Sequence, residues 1–252
     1  MENKKIIYYK QLDSTNTEIA RLAAEGAVHG TVVVADAQTA GKGRRGRQWE
    51  SPAGENIYMS ILLRPDCVPD RAPMLTLVMA YAVARVLRES GFADVQIKWP
   101  NDLVLSGKKI CGILTEMQLK ENAIDYVVVG VGINVNTSKF PEELKDTATS
   151  LYLESGRMFD RENIIESIVE DFDELYRQVM ETQELSFLRE AYNNMLVNVD
   201  KEVRVLEPGN EYTAYAQGIN SEGELLVRTK EGEEKRIYAG EVSVRGIYGY
   251  IR

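Results

Sequence analysis

The segment with the clearest chemical potential is residues 41–47, Gly-Lys-Gly-Arg-Arg-Gly-Arg, in which three glycines and four cations occupy seven positions. Glycines let the backbone approach an anion closely and offer amide donors. Arginines add forked donors that suit phosphate or carboxylate. No Gly-Lys-Ser/Thr pattern ends the segment, so it is not a phosphate loop. It predicts either a loop that orders around an anion or a solvated basic patch.

A lysine ends a short apolar stretch in the segment Lys98-Trp99-Pro100-Asn101-Asp102. The proline should break the strand and direct Lys98 into a loop region, where functional side chains are often found. The alternative is a solvated lysine at a turn, the usual fate of this residue type. We expect Trp99 to belong to the core.

Two glycines interrupt an apolar run in Gly130-Val131-Gly132-Ile133-Asn134. Val135 replaces the third glycine of a dinucleotide-binding fingerprint and no helix follows, so we reject that interpretation. Glycines inside a strand indicate that a ligand or a backbone packs closely there, and tight packing explains them about as well as a ligand does. With a ligand present, Asn134 could contact an adenine edge.

Four polar residues, Asp13-Ser14-Thr15-Asn16, precede a helical apolar pattern. Thr15 and Glu18 have the spacing of a capping box, which explains Thr15 without any function. Several polar groups then remain near one helix N-terminus. Such a cluster can bind a polar heterocycle by hydrogen bonds.

The elements that must position these segments follow from hydrophobic periodicity. Helices are expected at 14–25, 71–90, 161–180 and 184–196, and strands at 31–36, 56–63, 95–99, 104–105, 109–117 and 126–131. Residues 40–54 should form a loop. Beyond Val199 about five short strands separated by turn residues predict a small all-β unit. We therefore expect one domain at 1–198, with strands and helices interleaved but no regular βαβ wind, and a second at 199–252.

Composition narrows the function classes. The 252 residues carry a formal net charge of −9 and one histidine, His29. The charge disfavours general nucleic-acid binding, and the scarcity of histidine disfavours triads and metalloenzymes that need it. Cys67 and Cys111 have no neighbouring cysteine or histidine, so we expect reduced thiols in a cytoplasmic protein. Neither a signal peptide nor a membrane-spanning apolar run is evident.

In order along the chain, DSTN, Q-x-x-G-K-G-R-R-G-R-x-W, K-W-P-N-D with C-G-I-L-x-E, and G-V-G-I-N-V-N closely resemble the catalytic domain of biotin–protein ligases. The likeness runs from about Tyr8 to Asn136 and is most specific over Gln38–Trp49. The β unit matches the family's C-terminal domain in position. Lys42 replaces the first arginine of the family's GRGRRGR, which keeps the charge but loses the guanidinium fork.

The resemblance implies an α+β fold of the class II synthetase type. A mixed, largely antiparallel sheet would pack with helices and be followed by a small SH3-like β-barrel. It also implies an enzyme that joins biotin and ATP into biotinyl-5′-AMP, releases pyrophosphate and transfers biotin to a lysine of a biotin carboxyl carrier protein. Mg²⁺ would assist, through ligands that are unknown. We expect a cytoplasmic, monofunctional enzyme that binds no DNA or membrane and could form homodimers.

The resemblance further implies individual roles. Lys98 and Arg44 are the catalytic candidates, because fixed cations allow two anionic reactants to meet. The residues implied for biotin are Ser14, Thr15, Asn16, Gln38, Gly41, Lys42, Gly43, Arg44, Lys98 and Gly112. Those implied for ATP are Arg44, Arg47, Trp49, Lys98 and Asn134.

Two other functions remain open. A lipoate– or octanoate–protein ligase would share the architecture and the acyl-lysine product. A non-enzymatic adaptor could be built from a basic loop and a small β unit. The arginine-dense loop and the KWPND segment favour biotin, and the negative net charge opposes nucleic acid as a partner of an adaptor.

Overall fold

The computed structural model describes residues 5–207, 209–239 and 243–246. Its larger part is a seven-stranded sheet with the strand order β1-β2-β3-β7-β6-β5-β4. The strands are β1 (Lys5–Tyr9), β2 (Thr31–Ala35), β3 (Ile57–Leu63), β4 (Gln96–Lys98), β5 (Asp102–Leu105), β6 (Lys108–Lys120) and β7 (Ala123–Ile133). β1 and β2 are parallel, and every other neighbouring pair is antiparallel. The predicted mixed, largely antiparallel sheet is therefore confirmed.

Helices cover both faces of this sheet. They are α1 (Thr15–Ala24), α2 (Met74–Glu89), α3 (Leu151–Ser155), α4 (Arg161–Thr182) and α5 (Ser186–Met195). The helix α2 is buried over nearly its whole length because it lies between the sheet and α4. The opposite face of the sheet is covered by α1, through a smaller cluster that joins Ile19 to Val33, Leu62 and Val128.

The period of two along the strands divides their side chains between these faces. In β7, Val127 and Val129 join the main core beside α2, whereas Val128 joins the cluster under α1. Gly130 and Gly132 follow on the α1 side. Paired with Gly132 is a third glycine, Gly112 of β6. The α1 face is thus almost bare at this end of the sheet.

A second, five-stranded antiparallel sheet follows, with the order β11-β10-β9-β8-β12. Its strands are β8 (Glu202–Glu207), β9 (Asn210–Ile219), β10 (Leu225–Thr229), β11 (Glu234–Ile237) and β12 (Ser243–Gly246). This C-terminal sheet shares the main hydrophobic core through residues such as Val203 and Ala216. The indole N–H of Trp99, which is 1% exposed, donates to the Gly223 carbonyl at 3.2 Å. The prediction that Trp99 belongs to the core is confirmed.

The predicted elements differ from the observed ones mainly at their ends. β1 and α3 were missed, and β6 and β7 extend further than their apolar patterns suggested. The capping box was wrong: Ser14 is the N-cap of α1, with no side-chain cap hydrogen bond. Glu18 lies one position beyond the capping site and bonds Tyr9 and Arg21 instead. None of the helices within the described ranges has the length and apolarity needed to cross a bilayer.

Candidate active site

The bare end of the sheet forms the floor of an inner pocket of about 50 Å³. Gly112, Gly130 and Gly132 provide this floor, while α1 and the loop after β2 form its walls. Side chains at the three glycines would fill the space. At Gly132 an added methyl group would lie 2.6 Å from the Trp49 ring, and at Gly112 it would lie 2.8 Å from the same ring.

A continuous network of hydrogen bonds links Gln38, Thr15 and Asn16, which line the inner pocket, to Ser60 and Glu116, which do not. The Thr15 backbone N–H donates to Gln38 Oε1 at 2.8 Å, and Gln38 Nε2 donates to Ser51. The Ser60 hydroxyl lies 2.8 Å from Thr15 Oγ1 and 2.6 Å from Asn16 Oδ1. Asn16 Nδ2 donates to Glu116 Oε2 at 2.7 Å. Every member has a partner, as buried polar groups require.

The basic loop, residues 41–47, closes the other side of the inner pocket. The Gly43 N–H donates to the Arg47 carbonyl at 2.7 Å, and Arg44–Gly46 form a short 3₁₀ turn. At the loop entrance, Gly41 packs so closely on the Trp49 carbonyl that a side chain would overlap with it. Backbone hydrogen bonds thus hold the loop even though its glycines bring it close to the pocket.

Arg44 fastens the basic loop to two other parts of the chain. Its guanidinium donates to Asn101 Oδ1 at 2.8 Å and to the carbonyl of Ala239, beyond β11 of the C-terminal sheet, at 3.1 Å. Burial lowers the pKa of this guanidinium, and the negative charge of Asp102 opposes that effect. Arginine nonetheless keeps its charge in proteins.

The inner pocket opens into an outer cleft of about 990 Å³ through a junction lined by Arg44, Trp49, Asn101 and Lys109. Lys109 Nζ lies 2.6 Å from Asp102 Oδ1 and 5.2 Å from the centroid of the Trp49 ring. Both Lys109 and Asp102 are less than one-third exposed. The junction therefore holds two cations and one carboxylate, which leaves it with local positive charge.

Lys98 lies in the outer cleft and is 7% exposed. It occupies the last position of β4, where the backbone N–H of Trp99 is held by Asn198 Oδ1 at 3.1 Å. Asn134 lines the same cleft, with its Nδ2 donating to the Thr149 carbonyl at 3.0 Å. The cleft thus combines a buried cation with polar and apolar walls.

Most of the predicted site residues converge on these two cavities. Those lining the inner pocket are Ser14, Thr15, Asn16, Gln38, Lys42, Gly43, Arg44 and Gly112. Those lining the outer cleft are Arg44, Arg47, Trp49, Lys98 and Asn134. Lys98 and Arg44 share the outer cleft, although of the two only Arg44 also lines the inner pocket.

Lys109 and Asp102 are site residues that the sequence analysis did not select. Lys109 lines both cavities, and its Nζ would lie 3.0 Å from a methyl group added at Gly112. No signal in the sequence marks Lys109, which lies three residues before Gly112 in the strand that pairs with that of Asp102. Regular alternation of side chains along β6 would place Lys109 and Gly112 on opposite faces of the sheet. The pairing of β5 with β6 shifts between Leu103 and Val104, so this alternation does not predict the position of Lys109.

We predict that Gly130→Ala will impair the inner pocket more than it impairs the fold. A methyl group at Gly130 would overlap with Asn16 Oδ1, so Asn16 must leave its place beside Ser60. Ligand affinity at the pocket should fall by at least tenfold, because positioned polar groups are lost together. Calorimetric titration measures this. Gly54→Ala adds a methyl group that meets no atom within 4 Å but strains a backbone with φ of +81°, so it controls for a loss of stability that does not reach the pocket.

Comparison with known proteins finds sequence similarity over nearly the whole chain. The Biotin/lipoate A/B protein ligase family model matches residues 8–134, and that of the Biotin protein ligase C terminal domain matches residues 199–245. The bifunctional ligase/repressor BirA of Bacillus subtilis is 40% identical over 95% of this chain and 74% of that protein. Biotin–[acetyl-CoA-carboxylase] ligase of Paracoccus denitrificans is 32% identical over 93% of this chain and 98% of that protein.

A solved structure of biotin protein ligase from Aquifex aeolicus in complex with biotin and ATP matches with a TM-score of 0.84 and 34% identity. It covers 97% of this chain and 100% of that chain. A fold with a floor of glycines, a basic loop and a C-terminal SH3-like sheet thus defines an acyl-activating ligase architecture. The chain belongs to the biotin/lipoate protein ligase family.

Proposed function

We propose that this protein is a biotin–protein ligase, which activates biotin with ATP and transfers it to a lysine of a biotin carboxyl carrier protein. The observation that carries this proposal is the junction of Lys109, Asp102 and Arg44, where a small polar pocket meets a large cleft. A carboxylate and a phosphate that approach each other there would meet fixed cations in a partly buried site.

The inner pocket suits the fused-ring head of biotin. Thr15 and Gln38 offer polar atoms on one side, and the glycines of β6 and β7 supply a flat floor. The valeryl chain would then run toward the junction and bring its carboxylate to Lys109. Lipoate has no urea-like group for the polar wall, which is why we favour biotin over the alternative substrate.

The outer cleft suits ATP. Its volume of about 990 Å³ accepts a nucleotide, and Trp49 and Asn134 offer a ring face and an amide to adenine. Lys98 and Arg47 supply charge for the phosphates. In the first half-reaction a carboxylate oxygen attacks the α-phosphorus, the bond to the bridging oxygen breaks, and pyrophosphate leaves. The protein contributes position and charge rather than a covalent intermediate.

Mg²⁺ would neutralise phosphate charge in this reaction. No group of three or more potential ligands occurs in the described part of the chain. The carboxylates of Glu50, Glu55 and Asp102 line the outer cleft. This fits an ion that is held mainly by substrate phosphates and water with one or two carboxylates, as is usual for Mg²⁺. Glu50 and Glu55 are the available candidates, since Asp102 is paired with Lys109.

The second half-reaction is attack of the carrier lysine amine on the acyl carbon of biotinyl-AMP, with AMP as leaving group. The basic loop would cover the mixed anhydride until the carrier arrives and so protect it from hydrolysis. The carrier's identity, homodimer formation and cytoplasmic location stay predictions. They depend on the family resemblance and the acidic, cysteine-poor composition.

The decisive experiment incubates the protein with Mg²⁺-ATP and either biotin or lipoate. We expect tightly bound biotinyl-AMP and biotin-dependent exchange of pyrophosphate into ATP, followed by biotin transfer to an added carrier domain. Exchange that depends on lipoate instead would support the alternative ligase. Absence of any acyl-adenylate would overturn the proposal and favour an adaptor.

We also expect ligand to protect the basic loop from proteolysis. Arg45, Gly46 and Arg47 are exposed, so trypsin should cleave there in the free protein. Biotinyl-AMP should slow this cleavage by at least tenfold, because its phosphate would order the loop. Cleavage at the exposed Arg157, outside both cavities, is the internal control. Equal rates with and without ligand would contradict the covering role.

A further inference from the structure

We propose that Ser60 and Glu116 are positioning residues that make the head-group pocket selective for a ligand N–H donor. In this arrangement Asn16 connects Ser60 to Glu116 by hydrogen bonds rather than contacting the ligand. The proposal rests on the proposed function, because it concerns the same pocket. It adds a reason why that pocket presents an acceptor to its ligand.

Ser60 is the exception in an otherwise apolar strand. It is 0% exposed and lies between Met59 and Ile61, both of which face the main core. Its own side chain faces α1, where it meets Thr15 and Asn16. A buried hydroxyl costs free energy unless it is hydrogen-bonded. A small apolar residue would fill this position without that cost, so the hydroxyl points to a positioning role.

Asn16 is engaged at both ends of its side-chain amide. Its Oδ1 accepts from Ser60, and its Nδ2 donates to Glu116 at 2.7 Å and to the Leu114 carbonyl at 3.4 Å. Both amide hydrogens therefore have acceptors within the protein. Gly130 permits this placement, since any side chain there would overlap with Asn16. In this proposal Asn16 lines the inner pocket but acts through its hydrogen bonds to Ser60 and Glu116 rather than through a bond to biotin.

Directions along the chain of hydrogen bonds follow from what each group can do. An amide oxygen only accepts, so the single hydrogen of Ser60 goes to Asn16. The 2.8 Å contact between the two hydroxyl oxygens then needs the Thr15 hydrogen, which is directed to Ser60 rather than to Gln38 Oε1, 3.2 Å away. That hydrogen is therefore used inside the protein. Thr15 is left with a lone pair for the ligand, which selects an N–H donor such as those of a cyclic urea.

Glu116 sets the other end of this chain. One carboxylate oxygen accepts from Asn16, and the other lies 3.9 Å from Lys42 Nζ of the basic loop. Both side chains of that ion pair are 44% exposed, so the pair itself contributes little. The bond to Asn16 is shorter and fixes which way the amide points. Glu116 therefore acts chiefly through Asn16.

The test measures the biotin KM, ATP KM and kcat of pyrophosphate exchange for Glu116→Ala, Glu116→Gln and Ser60→Ala. Glu116→Ala and Ser60→Ala should each raise the biotin KM about tenfold, with the ATP KM and kcat within about twofold, because ground-state binding is lost. Glu116→Gln should restore a biotin KM near that of the unmodified enzyme, since its amide oxygen still accepts from Asn16.

Thr76→Val is the matched control. It removes a hydroxyl from a partly buried pair, Thr76 with Thr115 at 2.7 Å, between α2 and β6 on the opposite face of the sheet. Its biotin KM should not change, even if its melting temperature falls as much as that of Ser60→Ala. Glu116 is partly exposed, so its two variants remain informative if Ser60→Ala does not fold.

Two results would overturn the positioning role: a biotin KM within twofold of normal for Glu116→Ala, or equal impairment of Glu116→Gln and Glu116→Ala. The second would mean that the charge facing Lys42 matters instead. In both cases the unmodified enzyme still forms biotinyl-AMP, so the proposed function survives. An unmodified enzyme that forms none would overturn both proposals together.

Discussion

Replacement of Lys109 by methionine should lower biotin-dependent pyrophosphate exchange by about 100-fold or more, which is the scale of losing one preorganised charge in a reacting site. Lys109 lines both cavities at their junction, and its Nζ lies 2.6 Å from Asp102 Oδ1. Methionine preserves most of the length of the side chain but removes the charge. The biotin KM should rise and kcat should fall, because the carboxylate would be both bound and activated there.

Lys108→Met provides the control for this prediction. Lys108 is adjacent in sequence, but its Nζ donates to the Lys145 carbonyl on the outer surface at 2.9 Å. The same change in net charge should therefore leave exchange within about twofold of normal. Biotin-dependent exchange rates of the two variants, with circular dichroism to verify folding, decide the matter. Near-normal exchange by Lys109→Met would remove this lysine from the chemistry.

Lys98→Met should produce an effect of similar size, about 100-fold, through the other substrate. Lys98 lines the outer cleft and does not contribute to the inner pocket as described. Its loss should raise the ATP KM and lower kcat while biotin binding in the absence of ATP stays within about twofold. Calorimetric titration with biotin alone separates the two lysines: Lys109→Met should weaken it, and Lys98→Met should not.

Arg88→Met serves as the matched control for Lys98. Arg88 lies at the end of α2 and donates to the Val95 carbonyl at 2.8 Å, near the start of β4 but outside both cavities. Loss of this cation could weaken the fold locally, yet the ATP KM should remain unchanged. If Lys98→Met leaves the ATP KM and kcat unaltered, or if it abolishes binding of biotin alone, the assignment of Lys98 to the nucleotide is wrong.

Much of the fold could be predicted because its periodicity is strong. α2 is apolar on almost all sides and α4 is amphipathic, so both were found close to their observed ends. β1 was missed because it is an edge strand, half exposed, whose short run carries no clear alternation. α3 has five residues, too few for a helical period to emerge.

Most of the residues that the motifs selected line the two cavities, whereas the sequence analysis did not select the residues that only the register brings together. The network of hydrogen bonds joins positions up to 100 residues apart, such as Asn16 and Glu116. No local pattern marks Ser60, since one serine in an apolar strand is compatible with many structures. Lys109 was missed for a similar reason: a lysine beside another lysine at a turn has the usual features of a solvated surface.

The close fit of the C-terminal sheet against the end of β4 limits how this architecture can be rearranged. The Trp99 indole donates to the Gly223 carbonyl, and the Arg44 guanidinium donates to the Ala239 carbonyl. The Trp99 backbone N–H donates to Asn198 Oδ1, just before the C-terminal sheet. Severing the chain near residue 198 would therefore expose a large aromatic ring and loosen the segment that carries Lys98. The two parts are not interchangeable building blocks, and a chimera that borrows its small domain from another ligase must reproduce the two carbonyl acceptors at Gly223 and Ala239.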